Sequence, residues 1–569
     1  MMKRLLLLTL LLVSATINQY ARERTETEKL IIAQRALSNN DRESEQVGKL
    51  KKVKESKNYS IYQATTGHGF VIVGNDSELA EVLGWSEGNY NESNLPEGFK
   101  WWLNATDYNL SLYKQDFIQT EKSIAGKAIP SFITTIWGQN NPFNMYCPYV
   151  DGTTAPTGCV ATAMAQVMNY YEYPAQGNGV GGYSVTDNKG TTTEKQTEIN
   201  GTYNWAILKD EYLSESAMSE RLAVARLMSD CGASVNMNYK STSSSAVQLD
   251  AAIALGNNFG YCSAAIRYYE RVFYTETEWE NLIYDELSSK RPVLYSGIDN
   301  TVGGHAFILD GIDETGKVHV NWGWNGAANG FYDFKYLRPD ISSVTQDFSS
   351  NMSMVCGIKP FKSSASEIPA SQWVTNKKYI FNVYEQSYLV FSLGNIYNIS
   401  PSAFRGDIAV TIESVAEERA TTKRLILFSS QAYEDEGIDG TIMPQYGFRF
   451  EEEDGSLMSF NLTNNINNLQ NGKYRLYVST KGYSENEQWQ YLRCPGGQLI
   501  YTLEKNADGT INVYEGDPLV SNGIEGVTAD KGGVPKGIYN LNGMRMPSMK
   551  SGLNLIRQSD GSVRKILVK

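Results

Sequence analysis

The stretch PTGCVATAMAQVMNYYEYP, residues 156–174, constrains the fold most strongly, because it predicts one amphipathic helix bounded by a glycine and a proline. Its apolar residues recur at helical spacing and form a single stripe of Val160, Ala163, Met164, Val167 and Tyr171. Cys159 lies in the first turn, where unpaired backbone N–H groups and the positive end of the helix dipole favour a thiolate. The sequence therefore makes Cys159 a candidate nucleophile, with a buried structural cysteine or half of a disulfide as the alternatives.

A cysteine nucleophile needs a base, and the chain contains three histidines. His305 stands in VGGHAFILDGIDETGKVHVNWGWNG, a pattern that predicts a β-hairpin with its turn at DETG. This hairpin would bring Asn321 back towards His305, so that the amide could hold one ring nitrogen while the other serves the thiol. His319 shares a face with Asn321 and is the alternative base, whereas His68 precedes a predicted processing linker.

The N-terminus and the overall composition exclude several classes of protein. The first 21 residues, MMKRLLLLTLLLVSATINQYA, are typical of a secretory signal peptide, so we expect an extracellular protein. A net charge of −12 argues against a nucleic-acid partner, because phosphate binding needs a basic face. No P-loop, no metal-ligand spacing and no Gly-x-Ser-x-Gly motif occurs, and we expect neither a cofactor nor a metal.

Composition shifts divide the 569 residues into successive regions, as expected for a chain too long for one domain. Residues 22–127 begin with a helix-prone stretch, continue as two or three strands and end in a polar linker. Residues 128–362 are rich in Trp and Gly and hold Cys159. After a Ser-rich junction, residues 370–520 show the short alternating strands of an immunoglobulin-like β-sandwich. Residues 521–569 predict further strands joined by hairpin turns.

The six cysteines are sparse, and a chain of this length can build cores without disulfides. We interpret Cys231, Cys262 and Cys356 as small buried residues. Cys147 lies twelve residues before Cys159, which leaves a redox-sensitive pair open.

Three ordered motifs together resemble the streptopain family of secreted cysteine proteases, a branch of the papain-like fold: PTGCVATAMAQVMNYYEYP, GGHAFILDGI and HVNWGWNGAANGFYDF. The resemblance covers residues 58 to 360. It implies an α+β chain in which residues 22–127 are an N-terminal α/β propeptide and residues 128–362 a papain-like catalytic domain, followed by an all-β immunoglobulin-like module. It also implies a cysteine endopeptidase made as a zymogen, with protein or peptide substrates and its own propeptide as inhibitor.

The resemblance assigns roles to five residues. Cys159 matches the nucleophile and His305 the general base. Asn321, with Trp322 beside it, matches the positions that orient the histidine. Gln139, in TTIWGQNNPFN, matches the side chain that completes the oxyanion hole together with the backbone N–H of Cys159.

The same resemblance extends to the substrate cleft and to its regulation. The segment YKSTSSSAVQ, residues 239–248, resembles a substrate-lining stretch in which Ser244 is the expected contact, and Gly304 would offer backbone groups. The propeptide would block the cleft and keep His305 out of place. Activation would then require cutting near residues 122–128.

The tail allows two interpretations, and the whole chain has rival functions. KGIYNLNGMRM and GLNLIRQSDGSVRKILVK resemble the C-terminal sorting domain of proteins exported by the type IX system of Bacteroidota, which implies recognition by outer-membrane secretion machinery. The alternative is one more hairpin of the preceding module. A papain-like acyl transferase or amidase acting on cell-wall peptides is a second function for the same residues. A third is an inactive surface adhesin that binds through its β-module.

Overall fold

The structure is a computed structural model that describes most of the chain. It describes residues 22–40, 49–65, 69–113, 128–299, 303–334, 352–362, 369–415 and 421–519, and the backbone of four strands between 537 and 568. The predicted signal peptide, His68, residues 122–127 of the predicted processing region and most of the tail lie outside the described residues.

The described residues form eight α-helices, among them the predicted helix that begins at Cys159. They are α1 (Glu26–Asn40), α2 (Glu97–Tyr113), α3 (Cys159–Tyr171), α4 (Met218–Ser234), α5 (Gln248–Asn257), α6 (Glu276–Ser288), α7 (Ser430–Asp435) and α8 (Thr463–Ile466). Helices α2, α6, α7 and α8 were not predicted. Helix α6 carries a recognisable signal, because Thr275 and Glu278 form a capping box at its start.

The first sixteen described strands belong to the N-terminal and central regions. They are β1 (Leu50–Glu55), β2 (Tyr59–Ala64), β3 (Phe70–Gly74), β4 (Val82–Ser86), β5 (Tyr149–Val150), β6 (Thr153–Thr154), β7 (Val180–Thr186), β8 (Thr192–Glu198), β9 (Met237–Tyr239), β10 (Ser244–Ser245), β11 (Arg267–Glu270), β12 (Val293–Asp299), β13 (Gly303–Ile312), β14 (Val318–Asn321), β15 (Gly330–Tyr332) and β16 (Met352–Cys356). Ten of them form one sheet in the order β1-β2-β3-β4-β15-β14-β13-β12-β16-β11. The N-terminal region therefore extends the central sheet through the β4–β15 pair.

The predicted hairpin is the pair of strands β13 and β14. They are antiparallel, with Ile308 opposite Asn321 and a register shift between Leu309 and Gly311. Helix α3 packs against β13, and its residues Val160 to Met168 are buried. This packing brings the N-terminal end of α3 to the strand that carries His305.

Aromatic side chains of α2 hold the N-terminal region against the central sheet. Phe99 packs against Trp322 at 5.7 Å, and Trp101 packs against Phe307 at 5.9 Å, measured between ring centroids. Trp101 also lies over Gly297 of β12, where a Cβ atom would collide with the indole ring. Buried aromatic pairs of this kind stabilise an interface beyond the area they cover.

The C-terminal module is all β, as predicted, apart from the two short helices α7 and α8. Its strands are β17 (Trp373–Thr375), β18 (Ile380–Tyr384), β19 (Tyr388–Leu393), β20 (Ile396–Asn398), β21 (Gly406–Ser414), β22 (Thr422–Ser429), β23 (Gly447–Phe448), β24 (Met458–Asn461), β25 (Gly472–Gly482), β26 (Gln490–Tyr491), β27 (Arg493–Cys494), β28 (Gly497–Gln498), β29 (Tyr501–Lys505) and β30 (Ile511–Glu515). They form sheets of five, three and six strands around their own hydrophobic core. The fold class predicted from the sequence is thereby confirmed.

The described part of the tail consists of strands. These are β31 (Gly537–Tyr539), β32 (Arg545–Met546), β33 (Gly552–Arg557) and β34 (Val563–Val568), in the antiparallel order β32-β31-β33-β34. The prediction of strands in this region agrees with them. Across the described residues, no helix combines the length and the apolar character needed to span a bilayer.

Candidate active site

The start of α3 is shaped by a glycine. Gly158 precedes the helix with a φ of 87°, a backbone conformation that L-residues rarely adopt. A Cβ atom at this position would also lie 2.6 Å from the Met237 side chain. The carbonyl of Gly158 accepts from the Thr162 N–H at 3.1 Å, which begins the helical hydrogen bonding. Cys159 is therefore the first helical residue, as the sequence predicts.

The thiol of Cys159 is hydrogen-bonded to His305. Burial raises the pKa of this thiol, but the hydrogen bond and positive charge of His305 act in the opposite direction and prevail. The backbone N–H groups of Ala306 and Val160 also lower it. The pKa of Cys159 thus lies below its ordinary value, which favours a thiolate beside an imidazolium.

The expectation that the N-terminal region keeps His305 out of place is wrong for this structure. His305 contacts Cys159 although α2 is docked on the sheet. The reason is that His305 is paired across the strands with Gly297, and Trp101 packs over that glycine instead of displacing the histidine. The N-terminal region leaves the pair intact.

The remaining cysteines behave differently from Cys159. All six cysteines are described, and none forms a disulfide. Cys231, Cys262 and Cys356 are buried, as predicted. Burial raises the pKa of Cys147 to about 12, so it stays a thiol and forms no pair with Cys159.

Gln139 lies beside the nucleophile. Its carbonyl accepts from the Thr157 N–H at 3.0 Å, two residues before Cys159. Its side chain is half-buried and bonds to none of the described residues, so its amide remains available to a ligand. An amide N–H can face a developing negative charge, and the oxyanion-hole role of Gln139 stays a prediction.

Asn321 is buried, and both ends of its amide are hydrogen-bonded. Its oxygen accepts from the Gly323 N–H at 3.1 Å. Its nitrogen donates to the Thr135 carbonyl at 2.6 Å and to Gln166 at 3.2 Å. The structure therefore attaches Asn321 to the segment that leads to Gln139, and gives it no direct bond to the histidine.

Trp322 is buried beneath the aromatic cluster of α2. Its indole N–H donates to the Ala328 carbonyl at 2.9 Å, and its ring packs on Phe307 at a centroid distance of 4.7 Å. Phe307 lies two residues after His305 on β13. Trp322 thus supports the strand that carries the histidine.

His319, the alternative base, is hydrogen-bonded to Asp310. Its Nδ1 is 2.5 Å from a carboxylate oxygen of Asp310, which is fully buried. The other oxygen of Asp310 accepts from the backbone N–H groups of Phe132 and Ile133 at 2.9 and 2.7 Å. His319 therefore helps to hold the segment that follows the predicted processing region.

Ser244 and Gly304, the two expected substrate contacts, differ in their environment: Ser244 is hydrogen-bonded within the protein and Gly304 is exposed. The hydroxyl of Ser244 donates to the Pro156 carbonyl at 2.8 Å, so it lies near the nucleophile but already has a partner. Gly304 is exposed on β13 next to His305 and pairs with Ile298. Among the residues described, no cluster of His, Cys, Asp and Glu is arranged to hold a metal ion.

Sequence reasoning missed Gln166, which links the parts of the site. It is fully buried on α3, seven residues after Cys159. A signal was available, because a polar residue inside the apolar run AMAQVMN must find hydrogen-bond partners if it is buried. Its partners could not be identified from the sequence.

A cysteine thiol at a helix N-terminus, bonded to a histidine on the adjacent sheet, defines a papain-like cysteine protease. Comparison with known proteins agrees: residues 137–332 match the peptidase C10 family, and residues 18–110 match the Spi protease inhibitor family. Streptopain of Streptococcus pyogenes is 31% identical over 336 residues, which cover 53% of this chain and 81% of streptopain. The chain belongs to the peptidase C10 family of cysteine proteases, and its N-terminal region is an inhibitory propeptide.

Two further relatives are similar over the same part of the chain. The thiol protease/hemagglutinin PrtT of Porphyromonas gingivalis is 30% identical over 340 residues, which cover 56% of this chain and 39% of PrtT. The structure of a prointerpain A fragment from Prevotella intermedia is 33% identical, covers 55% of this chain and 99% of the fragment, and has a TM-score of 0.48.

Proposed function

We propose that the chain is a secreted endopeptidase, made as a zymogen, that hydrolyses peptide bonds through a thioester on Cys159. The observation that carries this proposal is the hydrogen bond between Cys159 and His305 at the N-terminus of α3. The N-terminus of α3, the His305 imidazole and the backbone N–H groups all favour the thiolate, which is the nucleophilic form of cysteine.

In the first step the Cys159 sulfur attacks the carbonyl carbon of the scissile bond, and the carbonyl oxygen takes the negative charge. The Gln139 amide and the backbone N–H of Cys159 would donate to that oxyanion. The tether from Thr157 to the Gln139 carbonyl supports this role, because it holds the glutamine close to the nucleophile.

His305 then protonates the leaving amine, the C–N bond breaks and a thioester remains on Cys159. A water molecule, deprotonated by His305, attacks the thioester carbon, releases the acid product and regenerates the thiolate. We assign Trp322 to the support of the His305 strand through Phe307, and Asn321 to the support of the segment leading to Gln139. Ser244 and Gly304 would contact the substrate on either side of the nucleophile.

The propeptide would inhibit by covering the sheet and the cleft while the Cys159–His305 pair stays assembled. Its contacts with the catalytic domain include the β4–β15 strand pair and a bond from the Trp324 indole N–H to Asn94 at 3.3 Å. Cutting near residues 122–128 would release it. The signal-like N-terminus supports export, and the tail would engage outer-membrane secretion machinery, which places the mature enzyme outside the cell or on its surface.

N-terminal sequencing of the purified chain during incubation tests this proposal, with wild type compared with Cys159→Ala. We expect the wild type to acquire a new N-terminus near residues 122–128 and to cleave casein, and the variant to do neither by itself. Labelling by an epoxide inhibitor of cysteine proteases should also be lost in the variant. Hydrolysis of muropeptides without casein cleavage would instead favour the amidase, and an unlabelled, uncleaved wild type would favour the adhesin.

A further inference from the structure

Three hydrogen-bond donors converge on the side-chain oxygen of Gln166. They are the Thr135 hydroxyl at 3.0 Å, the Trp137 backbone N–H at 3.2 Å and the Asn321 amide at 3.2 Å. Two of the donors belong to the segment before Gln139 and the third lies at the end of β14, whereas Gln166 lies on the helix that begins at Cys159. One atom thus connects the nucleophile helix to the segment before Gln139 and to the end of β14.

The orientation of the Gln166 amide follows from its partners. A backbone N–H can only donate, so the atom facing Trp137 is the amide oxygen. The amide nitrogen of Gln166 is buried and has no hydrogen-bond partner. A buried donor without a partner is costly, and its retention indicates that the acceptor is what this position requires.

The segment from Thr135 to Gln139 is held at both ends. At one end, Gln166 accepts from Thr135 and Trp137, and Asn321 donates to the Thr135 carbonyl at 2.6 Å. At the other end, the Gln139 carbonyl accepts from Thr157. Gln166 lies on α3 and Thr157 lies just before it. The segment from Thr135 to Gln139 is therefore held by the same helix that positions Cys159.

We propose that Gln166 is a positioning residue for the protease reaction, because it sets the place of Gln139 relative to Cys159. This inference rests on the proposed oxyanion role of Gln139. A displacement of a catalytic group by about 1 Å can lower a rate by about 100-fold. Gln166 acts through Gln139 and touches no substrate atom.

The test compares two substitutions at Gln166 in the processed enzyme. Gln166→Met keeps the size of the side chain and removes the acceptor, and we expect kcat on a peptide substrate to fall about 10- to 100-fold with KM changed less than about 3-fold. Gln166→Glu keeps oxygens facing the three donors, which stabilise a carboxylate, and should retain kcat within about 5-fold.

Alkylation of Cys159 by iodoacetamide separates positioning from a general loss of structure. This reaction needs the thiolate but no oxyanion hole, so its rate should change less than about 2-fold in Gln166→Met. Asn398→Leu is the control, because Asn398 is also fully buried and bonded at both ends of its amide, to the Ile442 carbonyl and the Ser400 N–H, but lies in the β-module. It should leave kcat unchanged. A parallel fall of kcat and alkylation in Gln166→Met would overturn the proposal.

A double substitution distinguishes this inference from the function on which it rests. If Gln139→Ala leaves kcat unchanged, the proposed oxyanion role of Gln139 is wrong, and the role of Gln166 that rests on it is wrong as well. If Gln139→Ala lowers kcat by about 100- to 1,000-fold, Gln166→Met added to it should cause little further loss, since both act on one interaction. Fully multiplicative losses would show that Gln166 acts by another route and would contradict our assignment.

Discussion

Cys159 and His319 show how a side chain's partners decide its role. Cys159 is partly buried, whereas the other five cysteines are buried, and its pKa is lowered because His305 and two backbone N–H groups face the sulfur. His319 is an imidazole near the same sheet, but its partner is the carboxylate of Asp310. The residue type shows which side chains could be catalytic, and the hydrogen-bond partners in the structure distinguish between them.

The first prediction concerns the base. His305→Ala should abolish turnover, whereas His319→Ala should keep kcat within about 3-fold, because His305 contacts Cys159 and His319 is bonded to Asp310. His319→Ala should lower the free energy of unfolding by about 1–3 kcal/mol, since the buried Asp310 carboxylate loses one of its three partners. Peptide hydrolysis and urea unfolding measure the two effects. Turnover that survives in His305→Ala and disappears in His319→Ala would reassign the base.

The second prediction concerns pH. The folded-state pKa of Cys159 is lowered, so the thiolate exists above that pKa and reactivity disappears as pH falls through it. The iodoacetamide rate should therefore reach its midpoint at a pH below the ordinary pKa of a cysteine thiol. His305→Ala should move the midpoint upward, because burial then acts without the opposing imidazole. Cys147, whose pKa is raised to about 12, should stay unlabelled at neutral pH.

At the scale of elements, α2 of the propeptide is the part that meets the catalytic sheet beside His305. Trp101 lies over Gly297 and Phe307, and Gly297 is the strand partner of His305. The helix was missed in the sequence, although its apolar face buries Phe99, Trp101 and Trp102. We therefore propose that this element inhibits by packing across the sheet, with the bond between Cys159 and His305 left in place.

The third prediction follows from that packing. Trp101→Ala should weaken inhibition of the mature enzyme by the separate propeptide by at least about 10-fold, because truncating a buried aromatic anchor typically costs about 2 kcal/mol or more of binding. Tyr108→Ala on the same helix is the control, since Tyr108 is 67% exposed. Inhibition constants on a peptide substrate measure both. Equal constants for the two variants would show that α2 does not anchor the propeptide.

At the scale of the whole molecule, the β-module is joined to the catalytic domain through Arg493. Its guanidinium lies 3.9 Å from the centre of the Tyr274 ring, and it donates to the Phe273 carbonyl at 3.0 Å and to Glu278 at 2.9 Å. These bonds combine a cation–π contact with charge-assisted hydrogen bonds on the same residue. The module therefore has a fixed attachment at the start of α6.

The fourth prediction tests this attachment. Arg493→Ala should destabilise the docking by about 1–3 kcal/mol and should separate the thermal transitions of module and catalytic domain in calorimetry. Lys378→Ala is the matched control, because its ion pair with Glu515 is exposed and such pairs contribute little. Peptidase activity should be retained in both variants. A single unchanged transition in Arg493→Ala would mean that other contacts carry the attachment.

The sequence by itself determined the helix that begins at Cys159 and the hairpin that carries His305, because periodicity and turn residues act within contiguous stretches. It determined the fold class through the resemblance of its motifs to the streptopain family. Only the tertiary structure decided that Asn321 bonds Thr135 and Gln166 and makes no bond to the histidine. It also decided that the propeptide extends the catalytic sheet and leaves the catalytic pair together. Hydrogen-bond partners this far apart in sequence are chosen by how the elements pack, and no local pattern records that choice.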